Sequence, residues 1–95
     1  MQPIELNVKK NKWLVYIVKC SDDSLYTGIT NDLAARIKKH NSGEASKYTR
    51  SRLPVRLVYK ENQPSRSTAS QREASIKTLN RAEKFDLITS QEYSA

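Results

Sequence analysis

Tyr16 and Tyr26 stand ten residues apart on two consecutive strand-like runs. A phenol can orient a water, or deprotonate it once a nearby cation has lowered the ordinary tyrosine pKa of about 10. Taken singly, each is also an ordinary strand aromatic that packs a core. Arg36 offers five donors in a fixed fork matched to phosphate oxygens and could stabilise charge building on a phosphoryl group. A pair with Asp32, four residues back, is the plainer alternative. His40, the single histidine of the chain, could move a proton or contact a phosphate, and the end of a helix would favour its charged form. A capping role explains it equally well. Glu73 falls with Ala69 and Ile76 on one side of a helix, so its carboxylate lies on or beside an apolar face. Such a group needs a partner. An ion pair with Lys77 or Arg72 would serve, and so would magnesium, which one or two carboxylates can hold with water and substrate phosphate.

The composition narrows these choices. Ninety-five residues with a formal charge of +7 and 17 Lys and Arg make one small domain that buries roughly 60–65% of its unfolded surface and seeks an anionic partner. The longest apolar run, Trp13 to Val18, is too short to span a bilayer. No signal peptide opens the chain, so a soluble cytoplasmic protein without a membrane partner is expected. Cys20 is alone, which rules out an internal disulfide, and one Cys with one His cannot build an all-N/S zinc site. A metal here must be hard and held by oxygen. Basic residues gather at Lys38, Lys39, Lys47, Arg50, Arg52 and Arg56, with Lys77 further on. Such clusters are commonly plain solvated surface, but Tyr48 among them could stack on a base. Neutralising about six phosphates would make binding steeply salt-dependent. Lys9, Lys10 and Lys12 could extend that surface.

The elements that must position these groups are readable from pattern. Residues 1–11 read as a flexible tail, 12–90 as the domain and 91–95 as a second tail. Lys12 to Cys20 is apolar on both alternating faces and reads as a central strand. Leu25 to Ile29 returns antiparallel to it. A two-residue turn at Asp22-Asp23 would put Tyr16 and Tyr26 on opposite faces, whereas a three-residue loop with a bulge puts them together. Asp-Asp lacks the glycine of the tight primed turns, so the odd loop is predicted. Gly28 inside the second strand marks a bulge or a close approach by another backbone, and a substrate strand would be such an approach. Thr30 or Asn31 caps a helix to Asn41, stopped at Ser42-Gly43, with Arg36 and His40 on one flank. Residues 41–54 read as a basic loop, Val55 to Lys60 as a third strand closed by Asn62-Gln63-Pro64, and Ser67 to Leu79 as a second helix. Asn80 and Glu83 open a third helix ending near Ile88. The order β-β-α-β-α-α is an α+β domain with a small antiparallel sheet.

Together these positions resemble the GIY-YIG nuclease family. Leu14-Val15-Tyr16 looks like the first signature strand, with Leu for the usual Gly. Tyr26-Thr27-Gly28 looks like the second, with Thr for Ile. Arg36 and His40 fall at the family's spacing, and QREASIK carries its acid at Glu73. The resemblance covers Trp13 to Ile88 and is greatest to small stand-alone bacterial members. It implies a three-stranded antiparallel sheet flanked by helices, one divalent ion (Mg2+ or Mn2+) at Glu73, and in-line attack by water on a phosphodiester. DNA is the implied partner, with RNA as the other nucleic acid to consider. Tyr16 or Tyr26 would be base or water-orienting group, Arg36 would stabilise the transition state and His40 would assist. Asn80 is the one candidate for a late asparagine that many members carry. A nucleic-acid-binding module that keeps this fold without cutting is the alternative.

Overall fold

Trp13–Lys19 (β1) and Leu25–Thr30 (β2) pair antiparallel, with Tyr16 opposite Gly28 and Val18 opposite Tyr26. The connection is the predicted odd loop. Asp23 N donates to Cys20 O at 3.0 Å, Cys20 N donates to Ser24 O at 2.9 Å, and Asp23 takes the left-handed φ of 69°. Ser21-Asp22-Asp23 is therefore a turn followed by a left-handed residue, a conformation Asp accepts more readily than most residues. Asp22 Oδ1 accepts from Ser24 N and Ser24 Oγ and holds the loop shut. Tyr16 and Tyr26 consequently share one face of the sheet. Arg56–Gln63 (β3) pairs with the other side of β1, giving the order β2-β1-β3 with β1 central. β3 extends beyond the expected Lys60 because pairing continues to Trp13 opposite Gln63, and a register shift at Ile17/Val18 leaves Val58 as the extra residue.

Residues 12–94 are described by the computed structural model; the reading of 1–11 as a tail lies outside them. Leu33–Asn41 (α1) begins later than expected, because Asp32 is its cap: Asp32 Oδ1 accepts from Ala35 N at 3.2 Å, while Thr30 Oγ1 accepts from Asp32 N. Gly43, at φ 84°, turns the chain out of it. The expected loop at 41–54 contains a single helical turn, Lys47–Arg50 (α2), capped by Ser46. Arg66–Lys77 (α3) starts before the expected Ser67, on a reciprocal Ser65/Thr68 cap. Arg81–Ser94 (α4) carries the predicted box: Glu83 N to Asn80 Oδ1 and Asn80 N to Glu83 Oε1, both 2.9 Å. α4 runs past Ile88 into the segment read as a tail, where the Gln91 carboxamide bonds both N and O of Lys60. Apart from the short α2, the order is the expected β-β-α-β-α-α.

The sheet has a helical layer on each side. Val15, Ile17 and Tyr59 pack on Ala69, Ile76 and Ile88 of α3 and α4. Tyr16, Val18, Cys20 and Val55 pack on Leu33 and Ile37 of α1 and on Leu53. Each fully buried aliphatic chain contributes about 1.5–3 kcal/mol, so β1, buried on both faces, is the stabilising centre. α3 lies across β1 and β2, which brings Glu73 toward the tyrosine-bearing hairpin. Among the described residues no helix is long and apolar enough to cross a membrane.

Candidate active site

Tyr16 is 2% exposed, and its hydroxyl lies 2.8 Å from His40 Nε2. His40 Nδ1 is 2.9 Å from Thr49 Oγ1, which is 3.0 Å from Ser46 Oγ. The imidazole is buried and makes edge contacts with both Tyr16 and Tyr26, at ring-centroid distances of 5.8 and 5.3 Å. The expectation that a helix end would keep His40 charged is corrected here: burial, then the nearby Arg36 charge, lower its pKa, so the neutral ring is favoured. Gly28 has a different reason from the one expected. A Cβ there would sit 2.6 Å from the Tyr16 hydroxyl oxygen and 2.8 Å from Cζ. The close approach is made by the Tyr16 ring, not by a nucleic-acid strand, and Gly28 is buried beneath it.

Tyr26 is less buried, and among the described residues its hydroxyl makes no hydrogen bond. Its ring stacks with Tyr48 at 6.0 Å and 23°. The Arg52 guanidinium lies 4.0 Å from the Tyr48 ring centroid, while Arg52 Nε donates to Asp22 Oδ2 at 3.0 Å and Nη1 to Tyr48 O at 2.7 Å. Arg52 thus straps α2 to the hairpin loop instead of standing ready for phosphate, which corrects its place among the free basic residues. Tyr48 is partly exposed, but the Arg52 strap must move before that covered side could stack on a base.

Arg36 sits on the same side as His40. It forms no ion pair with Asp32, whose carboxylate is used as the α1 cap. Burial raises the pKa of Tyr16, Tyr26 and Glu73 raise it further, and Arg36 opposes them. Those through-space effects place Arg36 and Glu73 both within electrostatic reach of the Tyr16 hydroxyl. Glu73 Oε2 is paired with Lys77 Nζ at 3.2 Å, the plainer of the sequence readings, whereas Arg72 pairs with Glu61 instead. The Lys77–Glu73 pair is part-exposed, so it contributes little stability and can be displaced. Among the described residues no three His, Cys, Asp or Glu side chains cluster. The donor set is one accessible carboxylate, which suits a hard ion that keeps most of its water.

Two lysine-lined hollows flank this centre. One, about 550 Å³, is lined by Thr30, Arg36, Lys38, Lys39 and Glu44 among others. The other, about 250 Å³, is lined by Leu25, Tyr26, Thr27, Tyr48, Lys77 and Lys84. Lys47 and Arg50 line a separate depression beside Gly43 and Ser46, and Arg56 lies away from the centre, near Lys19 and Cys20. Thr49, Ser46 and Lys84 were not singled out from sequence. Ser46-x-x-Thr49 has cap spacing that could have drawn notice; Lys84 reaches the groove only because α4 folds back. Asn80 is used as a helix cap.

A hairpin with paired tyrosines, feeding a helix that supplies the cation and imidazole, defines a GIY-YIG-type catalytic fold. Residues 12–86 match the GIY-YIG catalytic domain, and the chain belongs to that family of nuclease domains. It is 55% identical to a UPF0213 protein of Staphylococcus aureus over 74 residues, covering 78% of this chain and 90% of that protein. The solution structure of the UPF0213 protein BH0048 from Bacillus halodurans is similar at 46% identity and TM-score 0.54, over 82% of this chain and 83% of that one. That of EF2693 from E. faecalis is similar at 34% identity and TM-score 0.58, over 86% and 88%.

Proposed function

We propose that the protein is a divalent-metal-dependent endonuclease that hydrolyses DNA phosphodiester bonds. The observation that supports it is the convergence of Tyr16, Tyr26, Arg36 and His40 on one face, with Glu73 within electrostatic reach. Tyr26, whose hydroxyl is uncommitted, orients the attacking water. Tyr16 is held by His40 as a fixed polar wall of the site. Arg36 stabilises the charge that develops on the phosphoryl oxygens. Lys38, Lys39, Lys47 and Arg50 bind flanking phosphates, and Lys77 joins them when it leaves Glu73. A Mg2+ or Mn2+ ion would be held by Glu73 and would supply Lewis-acid charge at the scissile phosphate.

The test is nicking of plasmid, branched and single-stranded DNA, with RNA in parallel, with and without magnesium. Glu73→Gln and Arg36→Ala should each lower the rate by about 100-fold or more. Activity that survives Glu73→Gln would mean a contaminant or a different site. The pairing of Glu73 with Lys77 favours one second reading, a binding module that retains the fold. Salt-sensitive binding without cleavage of any substrate would select it.

A further inference from the structure

We infer that Thr49, backed by Ser46, is a positioning residue that sets the tautomer of His40 and thereby the direction of the Tyr16 hydroxyl. The inference deepens the nuclease reading and rests on it only for its kinetic consequence. It starts from the number of protons available. A neutral imidazole carries one N–H and one bare nitrogen, and both His40 nitrogens are engaged, Nε2 by Tyr16 and Nδ1 by Thr49.

Three arrangements satisfy those contacts; one, with Nδ1–H and Ser46 both donating to Thr49, strands the proton of the wholly buried Thr49, and the other two are mirror images. In the first of these two, Tyr16 O–H donates to Nε2, Nδ1–H donates to Thr49 Oγ1, and Thr49 O–H donates to Ser46 Oγ. The one hydroxyl proton then left over belongs to Ser46, which is only half-buried. In the second, every direction reverses: Ser46 donates to Thr49, Thr49 to Nδ1, and Nε2–H to the Tyr16 oxygen. The leftover proton is then on Tyr16, 2% exposed, with His40 as its one hydrogen-bond partner among the described residues. A buried donor without an acceptor costs about 1–3 kcal/mol, so the first arrangement is favoured. In it the Tyr16 hydroxyl proton points at His40 Nε2 and away from the site.

The local fold supports this chain of bonds. Thr49 is wholly buried in a single-turn helix too short to persist alone. That turn is fixed by Ser46 Oγ accepting from Thr49 N at 3.0 Å and by the Arg52 strap to Asp22. The segment read from sequence as a basic loop thus delivers one buried hydroxyl to the far nitrogen of His40.

The test uses the 15N-labelled full chain, whose single histidine gives one imidazole spectrum. At about pH 8, where the ring is neutral, Nδ1 should be protonated and Nε2 bare. The reverse pattern in the wild type overturns the inference, whatever happens to any variant. Thr49→Val removes the hydroxyl and should shift the ring toward a mixture of tautomers, while Thr49→Ser should keep the wild-type pattern. An unchanged spectrum in Thr49→Val also overturns it. With a cleaved substrate, Thr49→Val should lower kcat about tenfold or more at unaltered KM, and Thr49→Ser should restore most of it. An unchanged kcat would overturn the kinetic consequence. A wild type that cuts nothing would defeat the nuclease reading, while the tautomer spectrum would still decide the inference.

Discussion

Alternate residues of β1 enter two environments that share one backbone. Val15 and Ile17 enter a mainly apolar layer closed by Ala69, Ile76 and Ile88, whose buried phenol, Tyr59, sends its hydroxyl to Glu61 at the margin. Tyr16, one residue away, enters a layer that is also largely dry but contains a phenol, an imidazole and a threonine hydroxyl, joined end to end. On the first side most of the buried surface is hydrocarbon, so burial stabilises it directly. On the second it is tolerable only because each polar atom has a partner: among the described residues no buried side-chain N or O lacks one. The difference shows how a domain this small can hold a reactive centre, by giving one face of its central strand to cohesion and the other to a satisfied polar network.

That contrast can be broken from either side. The largest effect should come from Ile76→Ala, which opens a cavity in the apolar layer and should cost about 2–5 kcal/mol in urea unfolding. Activity per folded molecule should stay near wild type; a large loss there would mean the two faces are not separable. Gly28→Ala should show the opposite signature. Its Cβ collides with the pinned Tyr16 ring, so a stability loss of about 1–3 kcal/mol should accompany a roughly 100-fold fall in kcat. Wild-type cleavage by Gly28→Ala would show that the Tyr16 position does not matter. Asn80→Ala removes the α4 cap and should lower stability by about 1 kcal/mol with kcat unchanged.

The smallest expected effect is one of pH. The folded-state pKa of His40 lies below its ordinary value of 6.5, so the unfolded chain takes up the proton first. Its contribution is complete above about pH 6.5 and is lost as pH falls toward the lowered folded value. Replacing His40 with Gln should flatten this part of a thermal-melt profile across pH 7 to 5, whereas Ile76→Ala should only shift the profile down. An equally steep acid limb in the Gln variant would mean other groups carry it.

The strands were legible because β-branched and aromatic runs with alternating burial have few other uses. The hairpin parity was legible because Asp22-Asp23 lacks a glycine, and that parity alone brings Tyr16 and Tyr26 together. The Asn80/Glu83 box marked its helix start correctly. Boundaries elsewhere moved by a residue or more because Ser, Thr and Asp compete as caps: Asp32 and Ser65 were used where neighbours were expected. α2 was not legible, since four residues show no period. With it went Thr49 and the strapped role of Arg52, both fixed by partners distant in sequence. Gly28 was expected to mark a bulge or the approach of another backbone, but the close neighbour is the side-chain ring of Tyr16 in the same sheet. Glu73 was placed correctly beside an apolar face, and its Lys77 partner was named among the alternatives.

The Gln91 carboxamide has a consequence for the sheet margin. β3 is an outer strand, and outer strands invite another chain to zip on. By taking both N and O of Lys60, one side chain from the closing helix stands in for the missing neighbour at that point. A strand arriving there would have to displace that carboxamide before it could pair with Lys60.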